Sequence, residues 1–173
     1  MSDPAIVHTA VTDEPLDADA LEAAVLDPTH GAVTRFVGRV RDHDPEAVGE
    51  VVALDYSSHP DAPAVLRRIT TEVLREHDAG GVTRVAVAHR TGHLEVGDVA
   101  IVVAVASAHR APTFAVCSAL VEAVKAGLPV WKHQHEADGR AVWSGLGLDA
   151  RDAPLDDAPP TEGSRAGAAE GSS

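Results

Sequence analysis

The 173 residues, 45% hydrophobic and 24% charged, suffice for one soluble domain, and an aromatic content of 3% leaves Val, Ala and Leu to fill its core. A formal net charge of −13 argues against broad nucleic-acid binding, which needs Lys and Arg to neutralise phosphates, and one cysteine permits neither an internal disulfide nor a multi-cysteine zinc site. No apolar run approaches the roughly 20 residues of a membrane span. MSDPAIVHTAVTDEP has no basic segment followed by an apolar one, so no signal peptide is read there and a cytoplasmic location is expected.

AIVHTAV, near residue 5, is a β-branched run and reads as a strand. LDADALEAAVLD, from Leu16, reads as a short helix with an aspartate cap. GAVTRFVGRV, residues 31–40, predicts a strand, RDHDPEAVGE a loop, and VVALDYS a second strand. From Asp61 to His77, Val65, Leu66, Ile69, Val73 and Leu74 fall at helical spacing, with Gly80-Gly81 as the stop. VTRVAVAHR is a strand, LEVGD a turn, and VAIVVAVASA an apolar strand expected at the centre of a sheet. APTFAVCSALVEAVKAG predicts a helix with Pro112 in its first turn and its end before Gly127. PVWKHQHE and RAVWSG flank ADG as a hairpin. The order of elements predicts an α+β fold with a largely antiparallel sheet and about three helices, over a domain of residues 1–148. Residues 149–173, rich in Pro, Gly, Ala, Ser and acids, are expected to form a disordered tail.

Four polar groupings are candidates for chemistry. Arg39 and Arg41 end the FVGRVR run, and period-two spacing puts them on one side of a strand, either as a solvated edge or as an anion clamp. His109 and Arg110 occupy the strand-to-helix turn SAHRAP, where a helix N-terminus attracts anions or the charges are incidental to a capping turn. Lys125 falls in the last turn of a helix, and Lys132 follows Trp131 in the next strand. Each lysine by itself fits a solvated cation. These are the only two lysines beside twelve arginines, however, and lysine alone of the two can shed its proton to act as nucleophile or base. His133 and His135 share one face of a strand and His89 and His93 flank a turn, but no metal motif is present and no metal is expected. Phosphate-binding glycine loops and a GxSxG elbow are also missing from the sequence. Cys117, spaced with Phe114 and Leu120 on the apolar side of its helix, reads as a small buried hydrophobe.

The blocks GAVTRFVGRVRDHD, HRTGHLEVGD, VASAHRAPTFAV, EAVKAGLPVWKHQ and DGRAVW come in one order and register, from about Gly31 to Trp143. In this the chain resembles the catalytic (large) subunit family of molybdopterin synthase. The resemblance implies an α/β-hammerhead-type fold and a homodimer. It also implies two small ubiquitin-like carrier subunits docked in trans, a heterotetramer overall. Each carrier would end in Gly-Gly as a thiocarboxylate and pass its sulfur, in two rounds, to cyclic pyranopterin monophosphate to make molybdopterin. No cofactor is implied as permanently bound. Lys125 and Lys132 match the family's two essential lysines. Arg39, Val40, Arg41, His109, Arg110, His133 and Gln134 join them as the implied substrate-binding set. Two stretches depart from the family pattern. YSSHPDA stands where Y-E-x-Y and a Met are usual, and WKHQ replaces a carboxylate with Gln134. A paralogue that binds the carrier or an anion without turnover is the competing reading.

Overall fold

The computed structural model describes residues 5–43, 49–78 and 80–145. The tail expected over 149–173 and the middle of the RDHDPEAVGE loop lie outside the described residues. Eleven elements follow in chain order: β1 (Ile6–Thr12), α1 (Ala18–Val25), β2 (Ala32–Arg39), β3 (Val51–Ser58), α2 (Ala62–His77), β4 (Arg84–Arg90), β5 (Gly92–Glu95), β6 (Val99–Ser107), α3 (Arg110–Gly127), β7 (Val130–Glu136) and β8 (Ala141–Gly145). They form two four-stranded sheets, ordered β1-β4-β6-β2 and β5-β3-β7-β8. Every pairing is antiparallel except β1 with β4, so the fold is α+β with largely antiparallel sheets and three helices among the described residues.

The apolar strand β6 does run through the middle of the first sheet, and its alternation decides what covers each face. Val103 and Val105 join Val85 and Val87 beneath α2 and α3, which add Leu66, Ile69, Leu120 and Val124. The opposite face offers only smaller residues, Ala86, Ala88, Ala104 and Ala106 with Val102, and on these α1 packs Leu21 and Val25. The Asp17 side chain caps α1 by accepting from the amides of Asp19 and Ala20, a contact worth about 1 kcal/mol. A third cluster joins the two sheets, with Val40 and Ala100 against Val51, Leu54 and Leu94.

Three local expectations need correction. LEVGD is not all turn: Gly92–Glu95 forms β5 against β3, and the chain reverses only at residues 96–98, with Gly97 at φ +95°. α3 starts at Arg110, with His109 as an extended cap residue and Pro112 in its first turn as expected, but it runs on to include Gly127 instead of ending before it. Phe114 lies off the apolar stripe of α3 and is 62% exposed, while Cys117 is buried. In the final hairpin Gly139 takes φ +85°, the left-handed conformation that a tight reversal asks of one residue.

Candidate functional site

A cleft of about 450 Å³ opens where the edge of the first sheet, the end of α3 and the inner face of the second sheet meet. Its cationic side chains arrive from three directions. Arg39 ends β2 at an irregularity in register between Gly38 and Arg39, and Arg41 follows in the loop. Val40 between them is buried. Its amide donates to the carbonyl of Asp98 and its own carbonyl accepts from Gly97, so the exit from β2 is pinned to the turn before β6. The Arg39 guanidinium adds a 2.7 Å bond to the carbonyl of Gly97. Strand alternation alone does not set these two arginines, since the strand stops at Arg39, yet both line the cleft. Gly38 beside them has no room for a side chain: a Cβ there would sit 2.5 Å from a methyl of Ile101.

The two lysines come from either side of one short connection. Lys125 lies in the last turn of α3. Buried Leu128 anchors the turn that follows, and Lys132 is the third residue of β7. A helix end and a strand start are thereby folded over the same cleft. Lys132 pairs across the strands with Tyr56, and Gln134 pairs with Leu54. All four line the cleft, because alternate residues of neighbouring strands share a face. Among the described residues lining it there is no carboxylate. In a chain of formal charge −13 this gathers Arg39, Arg41, Lys125 and Lys132 into a local cationic basin suited to anions.

Gln134 is the most informative member. It is 1% exposed, and neither its amide nitrogen nor its amide oxygen has a hydrogen-bond partner within the described protein. Leaving such a group unpaired costs about 1–3 kcal/mol, a cost that a polar ligand in the cleft removes. His89 and Tyr56 complete the floor, with their rings edge to face at 5.3 Å. Burial holds His89 neutral, its pKa lowered to about 4 against a smaller opposing effect of the Arg90 carbonyl. Its Nδ1 is 2.8 Å from that carbonyl, which can only accept, so Nδ1 carries the proton and Nε2 keeps its lone pair. Neither His89 nor Tyr56 stood out in the sequence as a cleft residue. The chain's single tyrosine and a histidine closing an apolar strand were the available signals.

The remaining expected site residues are placed elsewhere. His133 lies on the opposite face of β7 from Lys132 and Gln134, beside His135, because consecutive residues of a strand alternate. There burial and then the neighbouring His135 hold its imidazole below the ordinary value, with Asp55 acting the other way. His109 and Arg110 are exposed at the start of α3. At roughly 1.5 Å of rise per residue, about 22 Å of helix separates Arg110 from Lys125, so within one chain they do not reach the cleft. Burial raises the Cys117 thiol, against a hydrogen bond from the backbone at Phe36, which suits a packing residue and not a nucleophile.

Comparison with known proteins places these features in a family. The family model described as "MoaE protein" matches residues 11–127. The molybdopterin synthase catalytic subunit 1 of Mycobacterium tuberculosis is 39% identical over 138 residues, covering 80% of this chain and 90% of that protein. The molybdopterin synthase catalytic subunit of a Nostoc species is 34% identical over 140 residues, covering 80% and 82%. Among solved structures, molybdopterin synthase from Staphylococcus aureus superposes with a TM-score of 0.68 at 27% identity, covering 84% of this chain and 98% of that one.

Proposed function

The chain belongs to the MoaE protein family, and from that premise we propose that it is the catalytic subunit of a molybdopterin synthase, a sulfurtransferase of molybdenum cofactor biosynthesis. The observation that carries this reading is the cationic cleft itself. Arg39, Arg41, Lys125 and Lys132 surround a buried, unpaired Gln134 amide in a strongly acidic protein. Cyclic pyranopterin monophosphate brings a phosphate and a ring edge rich in donors and acceptors, and a carrier's thiocarboxylate tail brings a second negative charge. Guanidinium groups suit the phosphate. The Gln134 amide, able to donate and accept, suits the pterin edge.

Lys125, exposed at the mouth, stands where an incoming tail meets the bound pterin. Its ammonium polarises the terminal carbonyl and stabilises charge as the carbon–sulfur bond of the thiocarboxylate breaks. In each round the thiocarboxylate sulfur bonds to a pterin side-chain carbon as an oxygen substituent leaves that carbon. Water then hydrolyses the resulting thioester, leaving a thiolate on the pterin and an ordinary carboxylate on the carrier. Lys132, half-buried beside Tyr56, holds substrate charge in place. His89, neutral and with Nε2 unprotonated, is a hydrogen-bond acceptor for a substrate N–H or O–H in the same cleft.

The relatives' designation as catalytic subunits speaks of a second subunit, and we assign that place to a small carrier ending in Gly-Gly, supplied in trans. A homodimer accounts for His109 and Arg110. Phe36 lines both the cleft and a shallow groove that it shares with exposed Phe114, one turn along α3 from Arg110. A second copy seated on that groove lies next to the cleft and lends it those two cations.

The test is reconstitution. The purified chain, thiocarboxylated carrier and pterin precursor should yield the dithiolene product. Carrier capture without product would instead identify a non-catalytic paralogue. Mixed K125A and R110A proteins, each inactive alone, should regain part of the activity through hybrid dimers. No recovery in the mixture would reject a site shared between two copies.

A further inference from the structure

The outer face of the second sheet, turned away from the cleft, carries Asp55 and three histidines on adjacent strands. Asp55 of β3 stands in register with His93 of β5 on one side and His133 of β7 on the other. His135, two residues along β7, returns to the same face. One ligand atom each from Asp55, His133 and His135 lie within 4.8 Å of one another. The His135 Nε2 pairs with one carboxylate oxygen of Asp55, and the His93 Nδ1 sits 2.8 Å from the other. The His133 and His135 rings meet edge to face at 4.8 Å. The Asp55 and His135 side chains keep 40% and 35% exposure, which leaves an ion a path from solvent.

Imidazoles brought this close repel each other once both are protonated, whereas a divalent cation can bind both through their lone pairs. Zinc bonds of about 2.1 Å hold tetrahedral ligand atoms roughly 3.4 Å apart. Pairing to β3 and β8 fixes the backbone of β7, so side-chain rotation alone has to bring the three ligand atoms from within 4.8 Å to that spacing. Two imidazoles and a carboxylate suit a borderline metal such as zinc, while calcium and magnesium take oxygen ligands. We propose that Asp55, His133 and His135 form a divalent transition-metal site, zinc being the preferred ion, and that His93 orients the Asp55 carboxylate from outside the coordination shell. Water takes the fourth position. This goes against the expectation of no metal that the sequence supports, and it does not depend on the chemistry proposed for the cleft.

The full chain, stripped with a chelator and titrated with Zn²⁺ against a chromophoric competitor, should take up one equivalent. His133→Gln and His135→Gln, which keep a polar side chain on a solvent-accessible face, should each weaken binding by more than about 100-fold. His93→Gln should cost only about 10–100-fold, the range for a group that orients a ligand. Co²⁺ in place of Zn²⁺ should give the intense visible absorption of a four-coordinate ion, lost in His135→Gln. Absence of a saturable equivalent would overturn the proposal, as would undiminished binding in a chain carrying both His133→Gln and His135→Gln.

Discussion

The two faces of the second sheet are built from the same strands and differ by a single step of alternation. Leu54, Tyr56, Lys132 and Gln134 point into the cleft, and Asp55, His133 and His135 point out. Facing inward, a buried, unpaired amide lies beneath cations at the end of α3 and the edge of the first sheet, with Lys132 half-buried and Arg39, Arg41 and Lys125 exposed at the mouth. Facing outward, a carboxylate and histidines pair with one another in reach of solvent. Hydrogen bonds from His135 and then His93 hold Asp55 below the ordinary carboxylate range, although burial, the largest single effect, pushes the other way. A one-residue slip of β7 would exchange Lys132 and Gln134 for His133 and His135 while leaving the β3 residues in place, so the register of one strand decides which β7 side chains the cleft receives.

Substitutions can break this contrast, and the largest effect is expected at Lys125. Lys125→Ala should reduce sulfur transfer by at least about 10²-fold, the scale of losing one preorganised charge-stabilising group. The melting temperature should barely change, since Lys125 is exposed. Product formation near the wild-type rate would remove Lys125 from the reaction.

His89 ties the inner face to stability. Its pKa is about 4 in the folded chain, against an ordinary value near 6.5 when unfolded. Between those values the unfolded chain binds the extra proton, so this contribution is complete above about pH 6.5 and is lost as pH falls toward 4. The loss amounts to about 3 kcal/mol. Denaturant unfolding across this window should therefore be flatter for His89→Gln than for the wild type, and equal slopes would contradict a buried, neutral His89.

Gln134→Met should act on stability in the opposite sense. Replacing an unpaired buried amide with an apolar side chain of similar size should raise unfolding free energy by about 1–2 kcal/mol. Affinity for the pterin should fall in the same variant, measured by calorimetry. A variant that loses stability would show that the amide is satisfied in the free protein. The smallest effect is expected on the outer face. His135→Ala should leave sulfur transfer within about twofold of wild type, and a larger loss would show that the faces communicate through β7.

Much of this was legible along the chain because the relevant patterns are local. Helical spacing from Val65 to Leu74, the Asp17 cap and the uninterrupted apolar run of β6 each express a rule that acts within a few residues. The spacing of Lys125 and Lys132 across a helix end, Pro129 and a strand start is equally local, and both residues do line one cleft. Phe114 shows the limit of such reasoning: helical spacing placed it with Cys117, but the neighbouring β2 edge leaves it exposed.

Sequence alone was therefore enough for the elements other than β5, the acidic balance and the lysine pair, since propensity, charge and short spacing need no partner. The tertiary structure alone decided the rest. Strand alternation turned His133 away from Gln134, and the length of α3 carried His109 and Arg110 away from Lys125. Pairing of β3 with β7 brought Asp55 to His133 and His135. These outcomes depend on strand register and on contacts between residues distant along the chain, which no short window of sequence contains.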